Sequence, residues 1–180
     1  MKPCDFKYFK ANSLEQALDV LNTKENVKII AGGQSLVPLM NFRLGQPDVI
    51  LDINDLKDLD FVSENSNDLE LGSLLTHTNA INSENLKLFF PIISCALQYV
   101  AHQTIRNQGT IGGSIVNADP SSEWPLLISL LNAKINVRNK FKKREILVND
   151  FFESHFVTSI EEDEIVISVT LPKINKYCWA

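Results

Sequence analysis

Residues 27–36 read VKIIAGGQSL, and this stretch decides the fold of the first part of the chain. The apolar residues before the glycines are β-branched, as in a buried strand. Gly32 and Gly33 then permit a tight turn with positive φ, and Ser35 is placed to cap a short helix that tolerates Pro38 in its first turn. The pattern predicts a strand, a glycine turn and a helix that carries Leu36, Leu39, Met40 and Leu44.

A second glycine pair lies in residues 104–120, which read TIRNQGTIGGSIVNADP. Gly112 and Gly113 stand 80 positions after the first pair, and the pattern predicts a loop followed by a strand-like pair, Ile115 and Val116. Glycine turns let backbone N–H groups approach an anion closely, and two of them can hold a diphosphate from both sides. Together they predict a site for a nucleotide cofactor.

Neither glycine pair fits a standard nucleotide motif, since G-x-G-x-x-G and G-x-x-x-x-G-K-[ST] are absent from the sequence. Taken alone, the first pair is explained equally well by an ordinary turn with glycine at a sharp bend. The second pair favours the cofactor interpretation, because small and hydroxyl residues crowd the start of helices at both places. Either Ser121 or Ser122 is placed to cap the following helix, which runs through Trp124, Leu127, Ile128 and Leu131.

The wider pattern divides the chain into a small βαβ-like lobe at residues 1–54 and a larger mixed α/β lobe at residues 55–180. The small lobe has a helix begun by a capping box of Ser13 and Gln16. The larger lobe contains a hairpin turn at residues 138–142 and a final strand over residues 165–171. A helix in this lobe is predicted from the spacing of Ile92, Ile93, Ala96, Leu97, Val100 and Ala101.

AGGQSLVPLMNFRL and TIRNQGTIGGSIVNADPSSEWP resemble the two FAD-binding segments of the flavoprotein (medium) subunit of molybdenum hydroxylases. That family includes carbon monoxide dehydrogenase and xanthine dehydrogenase, and the resemblance covers residues 3–178. It implies an α/β (α+β) fold, the two-lobed FAD-binding domain of the vanillyl-alcohol-oxidase (PCMH) type. It also implies an oxidoreductase subunit that passes electrons from iron–sulfur clusters on a partner, through FAD, to an external acceptor.

The resemblance implies a set of residues around a non-covalent FAD. Ser114 stands where many relatives carry asparagine or aspartate, and Glu123 stands where relatives often have aspartate. Val166 or Ile167 corresponds to an aliphatic residue near the flavin ring. The expected cofactor-binding residues are Ala31, Gly32, Gly33, Gln34, Ser35, Leu36, Thr110, Ile111, Gly112, Gly113, Ser114 and Glu123.

The same resemblance implies two partners, a small 2Fe–2S subunit and a large molybdopterin subunit. The molybdenum cofactor and the clusters are then expected only on those partners. The cysteines of this chain agree with this expectation, because Cys4, Cys95 and Cys178 are scattered and no C-x₂-C spacing occurs. No catalytic residue is expected on this chain, since a flavin carries its own redox chemistry.

Composition excludes several other functions. The chain has 180 residues and a net charge of −5, which argues against nucleic acid or an anionic membrane as partner. No apolar run reaches the roughly 18 residues of a membrane span, and the N-terminus MKPCDFKYFK lacks the apolar core of a signal peptide. Together with the unpaired cysteines, this predicts a cytoplasmic protein without a transmembrane segment.

Two other interpretations remain open at the sequence level. One is a stand-alone flavin reductase of the same fold, and the other is a truncated, non-catalytic remnant that acts as an interaction module. Relatives continue with a C-terminal domain that covers the flavin, and this sequence ends about where that domain begins. We therefore expect the C-terminal domain to be absent, whether the chain is a fragment, one of two chains or a remnant.

Several further residues have open interpretations. His77 is expected to be structural, or to lie in a loop beside the flavin ring, as the family's matching segment suggests. Arg106 is expected to pair either with the FAD phosphates or with Asp119. The basic residues Lys140, Lys142, Lys143 and Arg144 and the acidic residues Glu161, Glu162, Asp163 and Glu164 are expected to form solvated turns.

Overall fold

The computed structural model describes residues 2–174, and two separate β-sheets organise this part of the chain. The ten strands are β1 (Lys7–Lys10), β2 (Val27–Ile30), β3 (Val49–Asp52), β4 (Val62–Glu64), β5 (Asp68–Gly72), β6 (Lys134–Arg138), β7 (Lys143–Leu147), β8 (Phe152–Ser154), β9 (Val157–Thr158) and β10 (Ile165–Pro172). The first sheet has the order β1-β3-β2 and is parallel throughout. The second has the order β4-β5-β10-β6-β7 and is antiparallel, while β8 and β9 form a small hairpin.

Short helices surround these sheets. They are α1 (Leu14–Thr23), α2 (Leu36–Asn41), α3 (His77–Asn82), α4 (Glu84–Phe89), α5 (Pro91–Leu97), α6 (Gln103–Arg106), α7 (Ile111–Asn117), α8 (Glu123–Leu130) and α9 (Val148–Phe151), with a 3₁₀ turn at Lys57–Leu59. Helix α1 begins as the capping box predicts, because the Ser13 hydroxyl accepts from the Gln16 N–H at 3.2 Å. The Gln16 side chain returns to the Asn12 N–H at 2.8 Å, one residue earlier than in the standard motif.

Each sheet has its own apolar core. The larger core lies between the antiparallel sheet and helices α3, α4, α5, α7, α8 and α9, with Trp124, Phe90 and Phe151 among its largest fully buried side chains. The smaller core lies between α1 and the parallel sheet and also includes Leu74, just after β5, and Ile165, the first residue of β10. The smaller core therefore joins the two sheets.

Ion pairs also join α1 to the antiparallel sheet. Arg138 at the end of β6 contacts Glu15 of α1 at 3.3 Å, and Lys140 of the hairpin turn contacts Asp19 of α1 at 2.8 Å. Lys140 remains exposed, as expected for a solvated turn, and its ion pair adds a link to α1. Both pairs leave their carboxylates more than half exposed, so each contributes little on its own.

The acidic turn before β10 also differs from the expectation. Glu164 is 3% exposed and accepts from Arg144 through both carboxylate oxygens at 2.7 Å. Burial raises the pKa of Glu164, but the Arg144 guanidinium and the Glu161 N–H outweigh it and hold that pKa below its usual value. A buried, bidentate ion pair therefore replaces the solvated turn that the charge run suggested.

No helix within residues 2–174 is long and apolar enough to cross a lipid bilayer. Cys4 and Cys95 are free thiols, whereas Cys178 lies outside the described residues. No group of three or more metal-ligating side chains occurs in the described part of the chain.

Candidate functional site

The first glycine segment, residues 31–36, leaves the carboxyl edge of the parallel sheet. Strands β2 and β3 end side by side, and ligands of parallel sheets bind outside this edge. Asn54, just past β3, donates from Nδ2 to the Ala31 carbonyl at 2.8 Å and to Asp52 Oδ1 at 2.8 Å. Sequence reasoning did not identify Asn54, although its position directly after a strand end was the available signal. Asn54 fixes where the segment begins.

The backbone of the first glycine segment is open to a ligand. Gly33 has φ of +70°, as the glycine turn predicts, but Gly32 does not have positive φ. The N–H groups of residues 32–36 donate to no acceptor within the described residues. The first N–H after them, that of Val37, donates to the Gly33 carbonyl at 3.1 Å. Several free N–H donors of one turn are the arrangement that binds phosphate oxygens.

Ser35 precedes α2 but does not cap it. It occupies the N-cap position without a side-chain hydrogen bond to the helix, because its backbone is in the helical region. The capping expectation was therefore wrong, and the exposed hydroxyl is available to a ligand. Gln34 is also exposed, and its amide donates to the Gly32 carbonyl at 2.9 Å.

The two glycine regions of the sequence touch each other. A methyl group on Gly32 would lie 2.1 Å from the carbonyl oxygen of Gln108 and 2.9 Å from the Cα of Gly109. Only glycine allows this approach of backbone to backbone. The first glycine segment thus packs directly against the chain that leads into Thr110.

The second glycine segment, residues 110–114, is the first turn of a helix. Thr110 is the N-cap of α7, and its hydroxyl accepts from the Gly113 N–H at 3.1 Å. The predicted strand-like pair was wrong, because Ile115 and Val116 continue α7 until Ala118, which adopts the left-handed conformation with φ of 48°. The helix is tolerated because Ile115 is fully buried in the larger core, so that packing overrides the β preference.

The inner half of the second glycine segment faces the protein. Ile111 is fully buried and donates its N–H to the Leu75 carbonyl at 3.0 Å. Gly112 donates to the Ser73 carbonyl at 2.8 Å, and a methyl group on Gly112 would lie 2.7 Å from the Ser73 Cβ. The N–H groups of Ile111 and Gly112 are therefore used within the protein and are not available to a ligand. Gly113 is exposed instead, and a methyl group there would approach only the Thr110 hydroxyl, at 3.0 Å.

Ser114 and the start of α8 are joined through hydroxyl groups. The Ser114 Oγ lies 2.6 Å from the Ser122 Oγ. Ser122 is the N-cap of α8 but makes no side-chain hydrogen bond to that helix, and Ser121 bonds to Asp119 Oδ1 at 2.7 Å instead. The expectation that Ser121 or Ser122 caps α8 through its side chain was therefore wrong. Glu123, the first residue of α8, is half-buried, and its carboxylate has no hydrogen bond or ion pair within the described residues.

His77 does not lie in a loop. It is the first residue of α3, it is 5% exposed, and its Nδ1 accepts from the indole Nε1–H of Trp124 at 2.9 Å. Burial, followed by the nearby Arg106 charge, lowers the pKa of His77 to about 4. The imidazole is therefore neutral at pH 7.

Arg106 does not pair with Asp119, one of the two partners expected for it, and its pairing with the FAD phosphates stays a prediction. Its guanidinium donates to the carbonyls of Val100 at 2.8 Å and Ala101 at 3.0 Å, and to Gln103 Oε1 at 3.1 Å. These contacts close the turn after α5, in which Ala101 has φ of 40°. The helix predicted through Ala101 accordingly ends earlier, at Leu97.

Val166 and Ile167 differ in exposure. Val166 is 4% exposed and belongs to the larger core. Ile167 sits at a register irregularity between β10 and β6, is half-buried, and accepts at its carbonyl from the Ser73 N–H at 3.0 Å. Of the two, Ile167 is the one that remains partly accessible.

The fold and the site define a class of protein. A glycine turn with free N–H donors at a parallel sheet edge packs on a second, helix-opening glycine turn, which is an arrangement suited to a diphosphate. The sequence of this chain matches, over residues 4–174, the model of the family described as the FAD binding domain in molybdopterin dehydrogenase. The chain belongs to this family, and the resemblance seen in the sequence is confirmed.

Individual relatives agree with the family match. The chain is 38% identical over 172 residues to the nicotine 6-hydroxylase medium subunit of Paenarthrobacter nicotinovorans, covering 96% of this chain and 61% of that protein. It is 31% identical over 173 residues to the carbon monoxide dehydrogenase medium chain of Afipia carboxidovorans, covering 96% and 60%. The chain thus spans about three fifths of the length of these relatives.

Solved structures show the same fold. The crystal structure of quinoline 2-oxidoreductase from Pseudomonas putida 86 superposes with a TM-score of 0.95 at 34% identity, covering 97% of this chain and 61% of that chain. The Cu,Mo-CO dehydrogenase superposes with a TM-score of 0.93 at 31% identity. The expected α+β fold class is confirmed.

The residues of the two glycine segments fit an FAD diphosphate. The donors of residues 32–36 are unused by the described protein, the Ser35 hydroxyl makes no cap bond, and Gly113 presents a surface without a Cβ. These groups supply the donors and the open surface that a diphosphate requires.

Proposed function

We propose that this chain is the FAD-binding, electron-transferring part of a molybdenum hydroxylase. The observation that carries the proposal is the packing of Gly32, in a segment with free N–H donors, on Gln108 and Gly109, in a chain of the FAD-binding family. Residues 108 and 109 lead directly into the second glycine segment with its exposed Gly113. FAD, when bound, accepts electrons singly from an iron–sulfur cluster and releases them in pairs to an acceptor. The chain itself binds and orients the cofactor.

We assign the following roles to residues of the chain. Residues 32–36 donate N–H groups to the diphosphate, and the Ser35 hydroxyl adds a further donor. Gly113 lets the second glycine segment approach from the other side, with Ser114 and Glu123 at its margin. Ala31, Gln34, Leu36, Thr110, Ile111 and Gly112 shape the two segments, and Ile167 is the aliphatic side chain that we place near the flavin ring. We expect no covalent link to the flavin.

The partners follow from the relatives. Two of them carry the names medium subunit and medium chain, which belong to enzymes of several subunits. By analogy, we propose a small 2Fe–2S subunit that supplies electrons and a large molybdopterin subunit that oxidises the substrate. The small parallel lobe at residues 1–54 and the larger lobe at residues 55–180 then hold the cofactor between them.

A pair of measurements tests the cofactor assignment. The purified 180-residue chain should bind FAD, and acid precipitation should release all of the flavin as FAD. Gly113→Ala should weaken FAD binding at least tenfold, whereas the melting temperature of the unliganded chain should stay the same or rise, since alanine favours a helix over glycine by about 1 kcal/mol. Covalently retained flavin, FMN in place of FAD, or unchanged binding in Gly113→Ala would contradict the assignment.

Co-purification tests the partner assignment. A tagged chain expressed at native abundance should recover an iron–sulfur protein and a molybdenum-containing protein together. Recovery of neither, from cells that contain a molybdenum hydroxylase, would count against the subunit role while leaving the FAD assignment standing.

A further inference from the structure

A buried histidine lies at the junction of the second glycine segment and α8. The His77 N–H donates to the Gly109 carbonyl at 3.0 Å, and its Nδ1 accepts from Trp124 Nε1 at 2.9 Å. Both side chains are almost completely shielded from solvent, at 5% and 0% exposure. His77 thus bonds at once to the residue before Thr110 and to the residue after Glu123.

The tautomer of His77 follows from its partner. An indole N–H only donates, so Nδ1 must be the unprotonated nitrogen, and the ring proton sits on Nε2. The Nε2 side of the ring lies against Gly109, where a methyl group would fall 2.7 Å from Nε2 and 2.9 Å from Cδ2. The imidazole therefore fills the space that glycine leaves free at position 109.

A second contact closes the same junction. The Ser114 and Ser122 hydroxyls lie 2.6 Å apart and join α7 to the start of α8. The bond between His77 and Trp124 holds the other side of this connection. The two contacts fix the start of α8, and with it Glu123, relative to residues 109–114.

We infer that His77 is a positioning residue for the cofactor, which acts through its hydrogen bond from Trp124 and its contact with Gly109. The inference rests on the proposed FAD site. His77 touches no cofactor in this assignment, but it holds the second glycine segment and α8 in the arrangement that binds the diphosphate. The neutral state of the ring agrees with this role, because a protonated imidazole cannot accept from Trp124.

The test compares dissociation constants for FAD in four variants of the full chain. Trp124→Phe removes the donor and keeps an aromatic ring, and His77→Leu removes the acceptor. We expect each to raise the dissociation constant about tenfold, equivalent to about 1.4 kcal/mol, because the remaining partner is buried without its bond. His77→Asn keeps an acceptor oxygen near the Nδ1 position and should remain within about threefold of the native chain. The double variant His77→Leu/Trp124→Phe should bind no more weakly than the weaker single variant.

A matched control separates positioning from general stability. Asn139 is buried at the hairpin turn, where its side chain accepts from the Phe141 and Lys142 N–H groups at 2.9 Å. Asn139→Ala should lower the melting temperature and leave the dissociation constant for FAD unchanged. Far-UV circular dichroism confirms that each variant is folded.

The outcomes are distinct. Unchanged FAD binding in both Trp124→Phe and His77→Leu, additive effects in the double variant, or equal weakening in Asn139→Ala would overturn the inference. A dissociation constant for FAD that rises as much in His77→Asn as in His77→Leu would overturn the inference as well. Failure of the native chain to bind FAD would instead refute the proposed function, and it would do so before any variant is measured.

Discussion

Gly32 shows that one residue can serve packing as well as ligand access. The sequence indicated glycine for a tight turn and for the approach of a phosphate. The structure adds a contact with the backbone of Gln108, which leaves no room for a Cβ. A single sequence cannot reveal such a contact, because the two residues are far apart in the chain. The candidate residues of the first glycine segment were predictable from local turn chemistry, whereas their packing partner was not.

Gly32→Ala should destabilise the chain and weaken FAD binding together. The added methyl group would lie 2.1 Å from the Gln108 carbonyl oxygen, so the two glycine segments must separate at a cost of about 1–3 kcal/mol. Gly45→Ala is the control, because a methyl group there meets only the Leu39 Cβ at 4.0 Å. Thermal unfolding and FAD titration of both variants check this. A native melting temperature in Gly32→Ala would contradict the packing described here.

His77 should make stability depend on pH. Its pKa is about 4 in the folded chain and about 6.5 when unfolded, so the unfolded chain binds more protons between these values. The stabilisation is fully present above pH 6.5 and is lost as the pH falls through 4, by roughly 3 kcal/mol in total. Arg106 is the charged group that acts on His77.

Urea unfolding of the native chain and His77→Asn between pH 7 and pH 4 measures this contribution. We expect the difference in unfolding free energy between the two proteins to shrink as the pH falls, because only the native chain carries the buried imidazole. A difference that stays constant over this range would show that His77 titrates normally.

At the scale of elements, helix α7 shows where local pattern failed. Ile115 and Val116 are β-branched, and the polar residues after them suggested a strand that ends in a loop. The Thr110 cap and the burial of Ile115 decide for a helix instead. A short segment with both helix and strand preferences takes the structure that tertiary packing favours, and the local sequence does not contain that packing. The longer and more regular elements, such as α1 and β10, were predicted closely.

The pair of Arg144 and Glu164 should be the most important ion pair of the antiparallel sheet. It ties β7 to the turn before β10, and the Glu164 side chain is only 1% exposed. Arg144→Met should cost about 3–5 kcal/mol, because it leaves a buried carboxylate without its partner. Lys134→Met is the matched control on the same sheet, since its pair with Glu145 is exposed at 45% and 46% and should contribute under about 1 kcal/mol.

Chemical denaturation of the two variants distinguishes these contributions. Equal losses in Arg144→Met and Lys134→Met would mean that burial of Glu164 does not set the energy of its ion pair. Replacement of both Arg144 and Glu164 by apolar residues should recover much of the loss, since no charge then remains buried.

At the scale of the molecule, two sheets with separate cores meet at the smaller core, which contains residues of α1 together with Leu74 and Ile165. The division into a lobe at residues 1–54 and a lobe at residues 55–180 stays a prediction, made because strand and helix signals alternate regularly only before residue 54. The joining contacts do not follow from sequence: Arg138 with Glu15 and Lys140 with Asp19 link residues more than 100 positions apart. The family was recognisable because two glycine-containing motifs occur together at the spacing typical of that family. The packing of Gly32 on Gln108 and Gly109 joins residues far apart in the sequence, and no local motif encodes it.

FAD should stabilise the whole molecule, because both glycine segments are proposed to contact one ligand. At a free FAD concentration of 100 times the dissociation constant, binding adds about 2.7 kcal/mol. For a chain of 180 residues this corresponds to a rise in melting temperature of roughly 5–10 °C. FMN carries a single phosphate and cannot engage both segments, so it should give a clearly smaller shift. Amide hydrogen exchange should slow at residues 32–36, whose N–H groups have no acceptor within the described protein. If FMN shifts the melting temperature as much as FAD, or if FAD leaves exchange at residues 32–36 unchanged, the diphosphate does not lie between the two segments.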